Sequence, residues 1–129
     1  MEEPPYLAFD QTVPRKYAHR AGVSEVFVTD SASGVENEFF AGLQIPRSHV
    51  LWGDRPSKWH DPLALVEACR QATFVIGHRQ LRIPIGPVFV LRDIFFEVET
   101  GDLLADEMSP LDAVARMVLD RQDSADVMA

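Results

Sequence analysis

The segment from His60 to Gly77, HDPLALVEACRQATFVIG, constrains this chain more than any other. Asp61 suits a helix N-cap, and Pro62 suits the first turn, where its missing N–H costs nothing. From Leu63 to Ile76 almost every residue is apolar or a good helix former, which predicts a helix buried over most of its circumference. Glu67, Arg70 and Gln71 interrupt that apolar surface. Their spacing of i, i+3 and i+4 puts them on one side. Ionisable groups are seldom buried unless they are paired or functional. Desolvation disfavours a charged carboxylate, so Glu67 is expected to have a pKa raised towards neutrality, suited to general acid–base work. Arg70 opposes that shift and can orient an anionic group, while Gln71 can hydrogen-bond a carbonyl. The alternative is a Glu67–Arg70 pair that merely neutralises itself.

The rest of the chain reads as a sheet around this helix. Residues 1–18, with Pro4, Pro5 and Pro14, form an extended lead-in. Val23 to Thr29 is β-branched and aromatic, a strand by composition. Asp30 to Gly34 is a turn cluster, and Asn37 to Ile45 is a second strand able to close an antiparallel hairpin. Residues 46–60 are a loop holding His49, Trp52, Trp59 and His60, and loops of that length are often functional. Val88 to Val98 is nearly continuous in apolar residues and reads as a central strand. The segment after Ser109 is open. Leu111, Val114, Ala115 and Val118 fit a helical stripe, yet Ala115, Met117 and Leu119 alternate as in a half-buried strand. Residues 19–121 make one domain, and 122–129 a polar tail. One long central helix wrapped by an antiparallel sheet is an α+β fold.

Charge limits the partners. The net charge of −8 argues against nucleic acid. Residues 46–92 are nevertheless locally basic, with Arg47, Arg55, Lys58, Arg70, Arg79, Arg82 and Arg92 against three acidic groups. That island can attract a phosphate or an acidic partner, or simply be a solvated surface. No apolar run approaches the roughly 20 residues of a membrane span. The acidic N-terminus lacks a secretory layout, and the single cysteine, Cys69, allows no internal disulfide, so a cytoplasmic protein is expected. His49, His60 and His78 lack ligand-like spacing, so no metal is expected.

Several short motifs carry a resemblance. Tyr17-Ala-His-Arg20 precedes the first strand and Pro46-Arg-Ser-His49 follows the second. His60-Asp-Pro-Leu and Glu67-Ala-Cys-Arg-Gln71 occupy the helix, with Ile83-Pro-Ile-Gly86 and Phe89-Val-Leu-Arg-Asp93 after it. From about Tyr17 to Val98 the chain resembles the A-factor biosynthesis hotdog family. The resemblance implies a hotdog fold, a curled antiparallel sheet around one helix, paired as a homodimer or with a second hotdog unit. It also implies that Leu111 to Asp120 is a strand, and that the final strand of a full unit is missing from a possible truncated copy. The implied activity joins a β-ketoacyl thioester, on coenzyme A or acyl carrier protein, to dihydroxyacetone phosphate, with no other cofactor. Glu67, Arg70 and His49 would be catalytic; Arg20, His60, Asp61 and Gln71 would bind substrate. The alternatives are a hotdog acyl-ACP dehydratase, an acyl-CoA thioesterase, or a non-catalytic acyl-binding or partner subunit.

Overall fold

In a computed structural model describing residues 5–46, 62–86 and 110–119, one helix lies against a three-stranded antiparallel sheet. Strands β1 (Val28–Ser33), β2 (Glu38–Ile45) and β3 (Leu111–Val118) follow one another in that spatial order, and helix α1 spans Pro62–Arg79. This is the α+β arrangement expected from sequence. The loop and cap positions from 47 to 61, including His49, His60 and Asp61, lie outside the described residues, as does the strand expected over 88–98.

The segment left open by its periodicity is a strand. Its burial alternates residue by residue, with Leu111, Ala113, Ala115 and Met117 packed on the core and Asp112, Val114, Arg116 and Val118 outward. Pairing with β2 sets that alternation, for example Ala41 opposite Ala115 and Leu43 opposite Ala113. Small side chains there leave room for the helix. The helix answers with its own small stripe, Ala64, Ala68 and Ala72, continued by Val75 and Ile76, all in the same buried cluster as Val28, Ala41, Leu43 and Ile45.

The first hairpin departs from the sequence reading. Val23–Glu25 is a 3-10 turn rather than a strand, and β1 runs through the expected turn residues Asp30 to Ser33. The reversal falls instead at Gly34 to Asn37, where Gly34 N–H donates to the Glu38 carbonyl and Asn37 takes a left-handed φ of 60°. Asn tolerates that region better than most residues. Local propensity lost to tertiary hydrogen bonding. Residues 25–27 are claimed by a helix side chain, described below, while the polar stretch of β1 is held from outside. Val13 N–H donates to the Val28 carbonyl, and Ala8 N–H to Asp30 Oδ2. Residues 5–18 therefore do more than lead in: Val13 and Ala18 belong to the core, and Leu7 is buried.

Gly42 marks the tightest point of the sheet. A Cβ there would lie 2.6 Å from Thr29 Oγ1 and 3.2 Å from Phe9 Cε1. Gly42→Ala is expected to lower the unfolding free energy by about 1–3 kcal/mol, the usual cost of overpacking, measured by urea denaturation. An unchanged midpoint would show that the Thr29 side chain and residues 7–9 yield freely.

Candidate functional site

Beside the small-residue stripe, α1 carries a second seam: Glu67, Arg70, Gln71, Phe74 and His78, at helical spacings of three and four. It faces the segment from Tyr17 to Phe27 rather than the sheet. The 3-10 turn Arg15–Ala18 ends with His19 in the left-handed region, φ 56° and ψ 43°, and this reversal sets His19 and Arg20 over the helix.

Glu67 is the centre of the seam. Arg20 Nε donates to its Oε2 at 2.9 Å, and Arg20 Nη2 makes a second bond to the same oxygen. Arg70 Nε donates to Oε1 at 2.8 Å and Arg70 Nη2 to Oε2 at 3.0 Å. Gln71 Nε2 adds a bond to Oε2 at 2.8 Å. The Glu67 side chain is only 12% exposed, whereas those of Arg20 and Arg70 remain 34% and 30% exposed. One carboxylate thus holds two guanidinium groups side by side at the surface, leaving a net positive charge.

This arrangement corrects the expectation for Glu67. Burial is the strongest single influence and pushes its pKa up. The hydrogen bonds from Arg70, Gln71 and Arg20, with the charge of Arg70, together outweigh it and hold the carboxyl below the ordinary carboxylate value. A carboxylate so well solvated by the protein is a poor proton acceptor at neutral pH. Glu67 organises the arginines. The self-neutralising pair is not what forms either, because Arg20 arrives from outside the helix as a second cation.

Gln71 is also placed differently from the sequence reading. It is fully buried, and its amide is committed inside the protein. Its Oε1 accepts from Phe27 N–H at 2.8 Å, and Nε2 donates to the Glu25 carbonyl at 2.8 Å as well as to Glu67. It stitches the 25–27 segment to the helix and presents nothing to a substrate carbonyl. Among the expected site residues, the structure brings together Arg20, Glu67, Arg70 and Gln71; His49, His60 and Asp61 are outside the described residues.

Two histidines complete the seam, one of which the sequence reading weighed only as a metal ligand. His19 Nε2 lies 2.7 Å from His78 Nε2, and His78 Nδ1 lies 2.7 Å from the Ile83 carbonyl. The His19 ring stacks on Phe74, centroids 4.5 Å apart and planes 10° from parallel. The Arg70 guanidinium lies over the same Phe74 ring at 5.1 Å. Loss of hydration where the His19 ring packs, then the neighbouring His78 and Arg70 charges, lower its pKa below the ordinary imidazole value. The signal available in the sequence was the continuation 67, 71, 74, 78 along one helix face. Cys69 is no rival nucleophile, because burial pushes its thiol pKa up. Among the described residues, no group of three or more His, Cys, Asp or Glu is placed to hold a metal, and no helix is long and apolar enough to cross a membrane.

The chain is similar to curated proteins of two Streptomyces species. Over 87 residues, 67% of the chain, it is 34% identical to a 2-oxo-3-(phosphooxy)propyl 3-oxoalkanoate synthase of Streptomyces virginiae, of which the match covers 29%. A synthase of the same name from Streptomyces coelicolor is 27% identical over 79 residues, 61% of the chain and 25% of that protein. The chain thus spans less than a third of the length of these curated relatives. No solved structure matches it significantly. A family model for the A-factor biosynthesis hotdog domain matches residues 1–127, nearly the whole chain, and the helix on an antiparallel sheet is consistent with it: the chain belongs to that family.

Proposed function

We propose that this chain is one hotdog unit of an acyltransferase that joins a 3-oxoacyl thioester to a phosphorylated three-carbon hydroxyketone such as dihydroxyacetone phosphate. The observation that carries this reading is the pair of partly exposed guanidiniums held side by side by Glu67. Arginine donors in a fixed plane suit the oxygens of a phosphate, and the cluster keeps one uncompensated positive charge to receive it. The product named for both relatives is an ester carrying one phosphooxy group, which is what such a site would release.

In this reading Arg20 and Arg70 hold the phosphate of the acceptor, and Glu67 sets their spacing. The acyl chain arrives as a thioester of coenzyme A or acyl carrier protein, and the basic island is the docking surface for the acidic carrier. Of that island Arg70, Arg79 and Arg82 are among the described residues, the last two on the exposed end of α1 and just beyond it. The hotdog sheet curls around α1 and is completed by pairing, either with a second copy or with a second hotdog unit. His49 would take part in catalysis, and His60 and Asp61 would bind substrate.

The test is direct. The full chain, mixed with a 3-oxoacyl-CoA and dihydroxyacetone phosphate, is expected to form the phosphorylated ester. Arg70→Ala is expected to raise KM for the acceptor at least about tenfold, the worth of a charge-assisted contact to phosphate. Equal use of unphosphorylated dihydroxyacetone would remove the phosphate assignment. Thiol release that needs no acceptor would replace acyl transfer with thioester hydrolysis.

A further inference from the structure

A cavity of about 320 Å³ lies between the segment 8–17, strand β1 and the C-terminal end of α1, and none of Arg20, Glu67 and Arg70 lines it. Two opposite charges do, Asp30 of β1 and Arg79 in the last turn of α1. We propose that this cavity binds a small zwitterion of the amino-acid class, with the ligand's ammonium on Asp30 and its carboxylate on Arg79. The proposal does not depend on the acyl-transfer reading.

Asp30 is oriented before any ligand arrives. Ala8 N–H donates to its Oδ2 at 2.9 Å, and Ser31 N–H donates to its Oδ1 at 2.8 Å. Each oxygen keeps a second lone pair, so the carboxylate is fixed in direction and still able to accept. The Ala8 bond also ties two walls of the cavity together, since Ala8 and Asp30 both line it. Arg79 is exposed, at the end of α1 where a cation meets the negative end of the helix dipole. Among the described residues no ion pair joins Asp30 to Arg79, although both line one cavity. The space between them keeps the two charges apart.

The charges select the ligand class by elimination. A simple anion would be drawn to Arg79 and repelled by the Asp30 carboxylate, and a simple cation the reverse. An apolar molecule would strip water from both charges without replacing it. A molecule carrying both signs satisfies both walls at once. Asp30 is half-buried, so its attraction for an ammonium is less screened than on open surface.

Size narrows the class further. A volume of about 320 Å³ is at the low end for small-molecule sites, enough for an amino acid and too little for a nucleotide-bearing thioester such as coenzyme A. Val13 and Pro14 offer an apolar wall to a ligand's methylene groups, while Thr12 and Tyr17 bring hydroxyls. Tyr17 is also where the cavity borders the Glu67 seam, its ring centroid lying 6.2 Å from that of His78. The two sites are therefore neighbours, and a test has to tell them apart.

The experiment is an NMR titration of the full chain with L-alanine, β-alanine and 4-aminobutyrate, whose two charges lie progressively further apart. Propionate and propylamine, each carrying one of the charges, are the controls. At least one zwitterion is expected to saturate with a Kd of about 1 mM or tighter, shifting the amides of Thr12, Val13, Tyr17 and Asp30. The singly charged probes are expected to bind at least about tenfold more weakly. Arg79→Gln, at an exposed position, is expected to weaken zwitterion binding at least about tenfold. Asp30→Asn keeps an oxygen for one of the two backbone amides and is expected to do the same; if it unfolds, Arg79→Gln decides alone. Failure of all three zwitterions to saturate, or propionate binding as well as the best of them, would overturn the proposal. Arg70→Ala separates the cavity from the seam, where a carboxylate can also meet arginine. Binding lost in Arg70→Ala and kept in Arg79→Gln would put the probe on the seam and overturn the assignment to this cavity.

Discussion

Gln71→Ala is expected to lower the unfolding free energy by about 3 kcal/mol or more, the largest effect of any single truncation in the seam. The substitution removes a side chain with no solvent exposure and three internal hydrogen bonds. Phe27 N–H loses its acceptor, the Glu25 carbonyl loses a donor, and Glu67 loses one of its supports. Each buried group left unsatisfied costs about 1–3 kcal/mol, and the small cavity adds to that. Gln71→Glu, nearly the same shape, is expected to do no better. It cannot donate to Glu25 or Glu67 when ionised, and it sets a second carboxylate beside the first. Urea denaturation of parent and variants, compared at equal m-value, measures both. An alanine variant within about 0.5 kcal/mol of the parent would mean that the 25–27 segment holds to the helix by apolar packing alone.

Glu67→Gln should show a different dependence on conditions. At neutral pH it leaves two guanidiniums adjacent without their shared anion. The expected loss is about 2 kcal/mol, less than for a fully buried pair because both arginines are partly solvated. The pH dependence identifies the cause. The folded protein holds Glu67 below its ordinary pKa, so between the folded and unfolded values the unfolded chain binds more protons. The stabilisation is therefore fully present above the unfolded pKa of about 4.3 and is lost as pH falls through the lowered folded value. Parent and Glu67→Gln should differ by a constant amount from pH 7 down to about pH 5, and converge in stronger acid. A gap that stays constant into strong acid would assign the loss to packing rather than to charge. Had Glu67 instead been raised towards neutrality, the parent would gain relative stability as pH fell through that range. The two cases have opposite signs.

Much of the fold was legible because it depends on patterns that leave little choice. A run such as 62–79 has no other way to bury its apolar residues, and Glu38–Ile45 differs by only one residue from the strand expected from its alternation. The errors fall where short segments have weak local preferences. Val23–Glu25 has strand composition but turns, because Gln71 takes the backbone groups of Glu25 and Phe27 for itself. Asp30 to Ser33 has turn composition but is extended, because it pairs with Phe39 to Gly42 of β2, while Ala8 N–H takes up the Asp30 carboxylate from outside.

For the site, the sequence by itself determined which residues share a helix face: Glu67, Arg70 and Gln71, with Phe74 and His78 on the same line. Helical periodicity is local, so no tertiary knowledge was needed. Only the tertiary structure decided what each does. A pKa is set by the balance between lost hydration and the donors that replace it, and for Glu67 one of those donors comes from Arg20, 47 residues earlier in the chain. Likewise His19 and His78 are 59 residues apart, and no spacing rule could announce their contact. The helix supplies the polar groups, and the chain folded across it decides which donors surround each of them.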